Sequence, residues 1–427
     1  MSWRLSDELR RRVGGVTSPG VALRGAAIAC RDESVSRRCA ASPDFTLMRV
    51  AIVHDWLTTW AGAERVLERM LTLLPNADLY STIDVLPDGF RTGLQGRTPQ
   101  TTALQHLPAL QAHYRSLLPL MPFAIRAWDF SAYDLILSSS HAVAKGVRVP
   151  RGVRHVCYCH TPMRYAWDLQ SSYLQSSGFG SVKAWAARRV LSRLRDWDRR
   201  TSDSVNEFVA NSSFISERIR RCYGRDSVVI YPPVNLRAFP LEAEPRGGSF
   251  VTAGRLVQYK RVDVMLEAFR MRPTEHLTVI GDGPLRAQLE ASAPPNVSFV
   301  GRLPHDAMLR HLQRAKAFLF AAEEDFGIAP LEAQACGTPV IAYGRGAATE
   351  TIVGPRSAAP CTGIFFDAQT PHAIVRAIDE YHEHRSSISA AACRTNAARF
   401  DTVHFDAALC AILGLPTDPA AALRTSG

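Results

Sequence analysis

From residue 48 onward, short apolar bursts alternate with longer stretches of helical period. "RVAIVHD" (49–55), "LILSSS" (135–140), "RHVCYCH" (154–160), "EFVANS" (207–212) and "SVVIYPP" (227–233) each read as a buried strand. Between them run helical segments such as "AERVLERMLTLL" (63–74). A second series follows: "SFVTAGRL", "LTVIGDGP", "VSFVGRLP", "AFLFAAEE", "TPVIAYG" and "GIFFD", between residues 249 and 367. Its helices are "RVDVMLEAF", "PLRAQLEAS", "DAMLRHLQRA" and "PLEAQACG". Strand–helix alternation in both halves predicts two parallel α/β domains. The joint falls near "YPPVNLRAFPLEAEPRGG" (231–248), where proline, glycine and charge replace the periodic pattern. Two such domains face each other across a cleft at the carboxyl ends of their strands, where ligands bind.

Residues 1–47 do not share this pattern. They hold no sustained period and are punctuated by glycine, serine and arginine. A disordered tail, a targeting segment and an upstream start are all compatible with that stretch. An apolar secretory core is missing, and Asp7, Glu8, Asp32 and Glu33 weigh against a transit peptide. The expected organisation is an extension over 1–47, a first α/β domain over 48–235, a second over 236–405 and a tail over 406–427.

Composition places the 427-residue chain among globular proteins, with 46% hydrophobic and 21% charged residues. No run of about 18 uncharged apolar residues exists to span a bilayer. The nine cysteines are odd in number and scattered, which suits a reducing cytoplasmic setting. "CYCH" (157–160) has no partner cluster at zinc-finger spacing, and alternation in a buried strand accounts for both thiols. A net charge of +10 favours an anionic partner without choosing between phosphates, nucleic acid and a membrane face. No recognisable nucleic-acid module accompanies it, so nucleic acid is not an expected partner.

Three strand-to-helix loops carry candidate chemistry. In "GRLVQYK" Arg255 and Lys260 stand five residues apart, placed to grip a diphosphate by a fork and a point charge. Two solvated surface cations remain the alternative. "IGDGP" lacks the third glycine of a dinucleotide fingerprint, and its glycines equally serve close strand–helix packing. "EDFGIAPLE" sets Glu324 and Glu332 eight positions apart around a loop, with Pro330 and Glu332 both expected in the first turn of the helix that follows. There the N–H groups of Gly327, Ile328 and Ala329 can receive an anion while the carboxylates bind hydroxyls. A nucleotide sugar offers both; a capped helix beside an acidic loop is the other reading.

Together these stretches resemble the retaining glycosyltransferases of family 4, which have the two-domain GT-B fold. The resemblance rests on "EDFGIAPLE" followed by "AQACGTPVIA", on "GRL…K" (254–260), on "IGDGP" (280–284) and on "NSSFISERI" (211–219) leading to "IYPPV". In order and spacing it covers residues 48 to about 405. "HDWLTTWAGAERV" (54–66) and "CHTPMRYAWDL" (159–169) further resemble a subgroup with O-antigen mannosyltransferases that use GDP-mannose.

The resemblance implies two Rossmann-like, doubly wound parallel-sheet domains, 48–235 binding the acceptor and 236–405 the nucleotide sugar, and a hexosyl transfer, most simply of mannose from GDP-mannose. The acceptor would be a lipid-linked saccharide or glycan in cell-surface polysaccharide assembly. Another donor such as a UDP-sugar, or a non-catalytic sugar-binding subunit, is the alternative. It implies that Glu332 binds the ribose, Glu324 the transferred sugar, and Arg255 and Lys260 the departing diphosphate. Gly62 would offer backbone N–H groups from the opposite domain, although Ala61 stands where the family usually has a first glycine. Arg302 and Leu303 would line the base pocket and His160 would stand beside the sugar. No cofactor or metal is expected.

Two segments bear on the acceptor. "GSVKAWAARRVLSRLRDWDRR" (180–200) reads as a basic amphipathic helix, with Val182, Trp185, Val190, Leu194 and Trp197 on one side. It suits the anionic inner face of the cell membrane, or equally a core-facing stripe with a solvated basic back. "LPALQAHYRSLLPLMPFAIRAW" (107–128) is a second apolar stretch in the same half.

Overall fold

The computed structural model describes residues 48–108, 110–167, 181–242 and 247–416. The expected N-terminal extension lies outside them, as does the second half of the expected tail, 417–427.

The first sheet holds β1 (Val50–His54), β2 (Asp78–Ser81), β3 (Gln100–Thr101), β4 (Leu135–Ser140), β5 (Arg154–Cys159), β6 (Glu207–Ala210) and β7 (Val228–Val229). Their spatial order is β3-β2-β1-β4-β5-β6-β7, every pair parallel. The second holds β8 (Phe250–Ala253), β9 (Leu277–Ile280), β10 (Val297–Gly301), β11 (Phe318–Phe320), β12 (Val340–Tyr343) and β13 (Gly363–Phe366). Its order is β10-β9-β8-β11-β12-β13, again parallel throughout. Both are doubly wound, and each reverses direction beside its first strand, between β1 and β4 and between β8 and β11. Crevices at such reversals are where open α/β sheets bind ligands. β2 and β3 escape the sequence reading because one is four residues long and the other two.

Strand alternation sorts side chains between two apolar layers on each sheet. Val50 and Ile52 pack on one side, Ala51 and Val53 on the other. In β5, Val156 and Tyr158 join the first layer, whereas Cys157 and Cys159 pack with Phe208, Ile215 and Ile219. Alternation therefore accounts for the two thiols of "CYCH", and no metal-ligating cluster of His, Cys, Asp or Glu stands among the described residues.

The chain crosses between the halves twice, side by side. Val234 N–H donates to Phe400 O at 2.8 Å, and Tyr231 packs edge-on to Phe400 at 5.0 Å. After the second crossing, residues read as the start of a tail form a helix, Thr402–Leu413. Phe405, Leu409, Cys410 and Leu413 complete the core of the first sheet. Arg69 grips Asp406 with both nitrogens of a fork, and Arg154 donates to Leu413 O at 3.1 Å. This apolar stripe follows a proline-poor segment and reads as helix locally, but the residues it meets lie as far as 259 and 337 positions upstream.

Helix Ser181–Thr201 forms as expected. Val190, Leu191, Leu194 and Trp197 face the first-sheet core, so the core-facing reading holds for its second half. Val182 lies outside the described side chains, and Trp185 is 64% exposed.

Candidate active site

The loops leaving β8, β9 and β10 are laced together by backbone. Gly254 N–H donates to Ile280 O at 3.0 Å, Gly281 N–H to Gly301 O at 2.7 Å, and Leu256 N–H to Asp282 O at 2.9 Å. A Cβ on Gly281 would stand 1.9 Å from Gly254 O, and one on Gly283 2.4 Å from Leu256 O. The glycines of "IGDGP" thus serve the packing of two loops, which in turn fixes the segment carrying Arg255 and Lys260.

After β11 the chain turns through Gly327, at φ +81°, into helix Ile328–Ala335. The helix starts two residues before Pro330, so Glu332 stands one turn in rather than in the first turn. Helix geometry leaves the amides at this end without intrahelical partners. From the other side, Ala347 N–H donates to Glu324 O at 3.1 Å, and Gly346 (φ +66°) leaves no room for a Cβ against that carbonyl. Glu324 is therefore pinned at the reversal point of the second sheet.

There the structure brings together much of what the sequence singles out. Lys260 pairs with Glu324, their side chains 18% and 16% exposed. Burial opposes the ammonium charge, but Glu324 outweighs it and the Lys260 pKa is raised. Lys260 also sits 5.6 Å from the Phe320 ring centre. Arg255 is exposed on the same loop, and Arg302 and Leu303 follow β10, the first exposed and the second half-buried.

The first half closes over this site. A Cβ on Gly62 would meet Ile328 Cδ1 at 3.4 Å, so the start of helix Gly62–Leu73 lies directly opposite the start of the Ile328 helix. One turn into each, Arg65 reaches across to Glu332. Arg164 binds Asp325 at 2.6 Å, and Ser212 Oγ donates to Asp325 O at 2.6 Å. Burial raises the Asp325 pKa against the opposing pull of Arg164. Glu350 accepts from Ser213 and Phe214 N–H at 2.7 and 2.8 Å, capping helix Ser213–Tyr223 from the opposite domain.

At the reversal of the first sheet sits a polar cluster. Asp55, fully buried, accepts four N–H bonds from residues 141–144 at 2.5 to 2.9 Å. His141 Nδ1 lies 3.0 Å from Asp55 Oδ2, a charge contact without the alignment of a hydrogen bond. Ser139 Oγ bridges His54 Nδ1 at 3.0 Å and His160 Nε2 at 2.8 Å. Burial, then the neighbouring His141 and His54, hold His160 well below the usual imidazole range, so it stays neutral.

Arg65, Arg164, Asp325, Asp55 and His141 escape the sequence reading. Arg65 reads there as one more polar position of a helix, and its role appears only when a residue 267 positions later meets it. Asp55 and His141 carried a weak signal, since "HDW" and "SSSHA" both put charge straight after an apolar strand.

Comparison with known proteins agrees with this geometry. Residues 60–238 match Glycosyltransferase Family 4 and residues 239–400 match Glycosyl transferases group 1. A GDP-mannose-dependent monoacylated alpha-(1-6)-phosphatidylinositol monomannoside mannosyltransferase of Corynebacterium glutamicum is 36% identical over 125 residues, 26% of this chain and 31% of that protein. A glycogen synthase of Mycobacterium tuberculosis is 27% identical over 209 residues, 44% of this chain and 50% of its own. The chain thus spans half or less of the length of these relatives. Among solved structures, Anabaena HepE in complex with UDP and glucose superposes with a TM-score of 0.62 at 16% identity, covering 86% of this chain and 99% of that one. That likeness concerns the fold. With its two doubly wound parallel sheets and two adjoining family matches running from residue 60 to 400, the chain belongs to the GT-B glycosyltransferases of family 4.

Proposed function

We propose that the protein moves a hexose, with retention, from a nucleotide sugar to a lipid-linked saccharide or glycan acceptor, GDP-mannose being the first donor to try. One observation carries the reading: Lys260, Glu324, Glu332 and the start of the Ile328 helix converge at the reversal of the second sheet, opposite Gly62. Glu332 takes the ribose hydroxyls and Glu324 those of the sugar. Arg255, Lys260 and the amides of Gly327, Ile328 and Ala329 hold the diphosphate. Gly62 adds N–H groups from the other domain, Arg302 and Leu303 flank the base, and His160 supports the sugar as a neutral, oriented ring.

Glycosyl transfer passes through an oxocarbenium-like state while negative charge grows on the leaving diphosphate. Cations and amide dipoles fixed around that charge are the main catalytic device, and Lys260 and Arg255 supply it without a metal. The leaving phosphoryl oxygen then accepts the acceptor's proton on the face from which it departs. The GDP-mannose assignment draws on the mannosyltransferase relative and on the 54–66 and 159–169 stretches. A UDP-sugar is the alternative, consistent with the HepE complex.

Exposed apolar side chains of the first domain support a lipid-linked acceptor and a membrane-facing location. Phe123, Leu120 and Leu107 are 69%, 50% and 40% exposed, and Trp185 stands out from the basic helix. These side chains suit a cytoplasmic protein that rests on an anionic membrane face. No helix among the described residues is long and apolar enough to cross a membrane.

The test is to incubate the protein with GDP-mannose or UDP-glucose and a lipid-linked acceptor, and to titrate variants with the nucleoside diphosphate. Glu332→Ala should weaken the nucleoside diphosphate roughly 10- to 150-fold, the loss expected for a charged hydrogen-bonding partner. Glu324→Ala should leave that affinity nearly unchanged and suppress transfer. Equal loss of nucleoside diphosphate binding in both would end this division of roles.

A further inference from the structure

Arg65 occupies an unusual place for a surface arginine. Its side chain is 42% exposed, yet it spans the cleft to Glu332, which is 7% exposed. It lies one turn from Gly62, whose neighbour across the cleft is Ile328 at the start of the facing helix. Two helix starts, each with amides lacking intrahelical partners, therefore flank the Arg65–Glu332 pair. Their dipoles favour negative charge.

A carboxylate oxygen bound by arginine is not open to a ribose diol. If Glu332 holds the ribose, donor binding has to turn Arg65 away from it. The displaced guanidinium is then next to the diphosphate, the strongest nearby acceptor for its planar fork. We propose that Arg65 is a donor-binding residue that exchanges partners, leaving Glu332 to the ribose and clamping the diphosphate from the first domain. The exchange trades one carboxylate for a more highly charged phosphate pair. It also makes closure of the two domains sense an intact nucleoside diphosphate rather than a nucleoside. This inference rests on the proposed donor site, and the experiment separates the two.

The measurement compares GDP with guanosine, and UDP with uridine, on wild type, Arg65→Ala, Arg65→Lys and Glu332→Ala, with Kd from ligand-observed NMR titration. In Arg65→Ala the nucleoside should bind as well as before or better, because its ribose no longer competes with arginine. The nucleoside diphosphate should bind about tenfold or more weakly, the cost of a lost charged hydrogen bond. Arg65→Lys should recover part of the preference for diphosphate through its point charge. If nucleoside and diphosphate strengthen by the same factor, Arg65 merely obstructs Glu332 and the exchange is wrong. An unchanged ratio in a protein whose diphosphate binding still depends on Glu332 overturns it equally. If neither diphosphate binds wild type, or Glu332→Ala has no effect, the donor site itself is misplaced.

Discussion

Lys145 lies 2.9 Å from Asp198 beneath the first sheet, and Lys260 pairs with Glu324 at the end of the second. Each is a lysine set against an acid, but their surroundings differ. Lys145 is 2% exposed and Asp198 not at all. Lys145 also donates to Asp198 O at 2.6 Å and Thr201 Oγ1 at 3.1 Å, while Trp167 Nε1–H and Tyr223 O–H each donate to Asp198 Oδ2 at 2.8 Å. Its ammonium sits 4.8 Å from the Tyr223 ring centre. These partners enclose the pair, with Asp198 Oδ1 left facing the ammonium. Among the described residues the Lys260–Glu324 pair is flanked instead by the Phe320 and Tyr259 rings, a glycine turn and a helix start, with Arg164 nearby. The first pair joins the basic helix, the 144–146 turn and helix Ser213–Tyr223. The second stands at the proposed donor site, where a bound donor would take over both partners.

Breaking the enclosed pair should produce the largest effect. Lys145→Met leaves Asp198 charged in the interior, which costs about 3–5 kcal/mol. The double variant Lys145→Met/Asp198→Asn removes that stranded charge and should recover much of the loss. Urea unfolding of wild type, the two single variants and the double variant measures it. Additive losses would mean that the two side chains are not coupled, and the contrast between the pairs would fall.

Breaking the exchangeable pair should cost turnover instead. Lys260→Ala is expected to slow transfer by on the order of 10²-fold, as loss of a preorganised charge donor does. Its unfolding midpoint should shift less than that of Lys145→Met, because Glu324 can turn to solvent. A stability loss matching Lys145→Met with near-normal turnover would make Lys260 structural.

The same contrast explains what the sequence could show. Glu324, Glu332, Arg255 and Lys260 are legible because each loop must present a set of residues at fixed local spacing. The strand bursts are legible because a parallel strand is buried on both faces. Arg65–Glu332, Arg164–Asp325 and Glu350 on the Ser213 helix join positions 136 to 267 residues apart, and no local pattern encodes them. Lys145 carries no local signal, since what surrounds the pair comes from three other elements, Arg164–Trp167, Ser181–Thr201 and Ser213–Tyr223. The last helix was missed as part of the first core because its stripe does not reveal which sheet it will cover.

The smallest expected effect concerns His141, whose charge sits between these extremes. Asp55, Glu64, His54, His160 and Asp325 are the ionisable groups acting on it from the packed elements. Burial opposes its charge, but the nearby charge of Asp55 outweighs this, with Glu64 and Asp325 adding to it. The net shift raises the folded pKa above 6.5. A histidine raised in this way contributes stability that is fully present below the unfolded value and is lost as pH rises through the folded one. His160 and His155 act in the opposite sense. Burial lowers both, His155 to about 3, so each costs stability as pH falls below 6.5. Wild type should therefore exceed His141→Gln in melting temperature by more at pH 6 than at pH 9. Below pH 6 both proteins should decline together as the two neutral histidines resist protonation. A gap that stays constant from pH 6 to 9 would show that His141 does not titrate against Asp55, and that the buried carboxylate is held by its four amides alone.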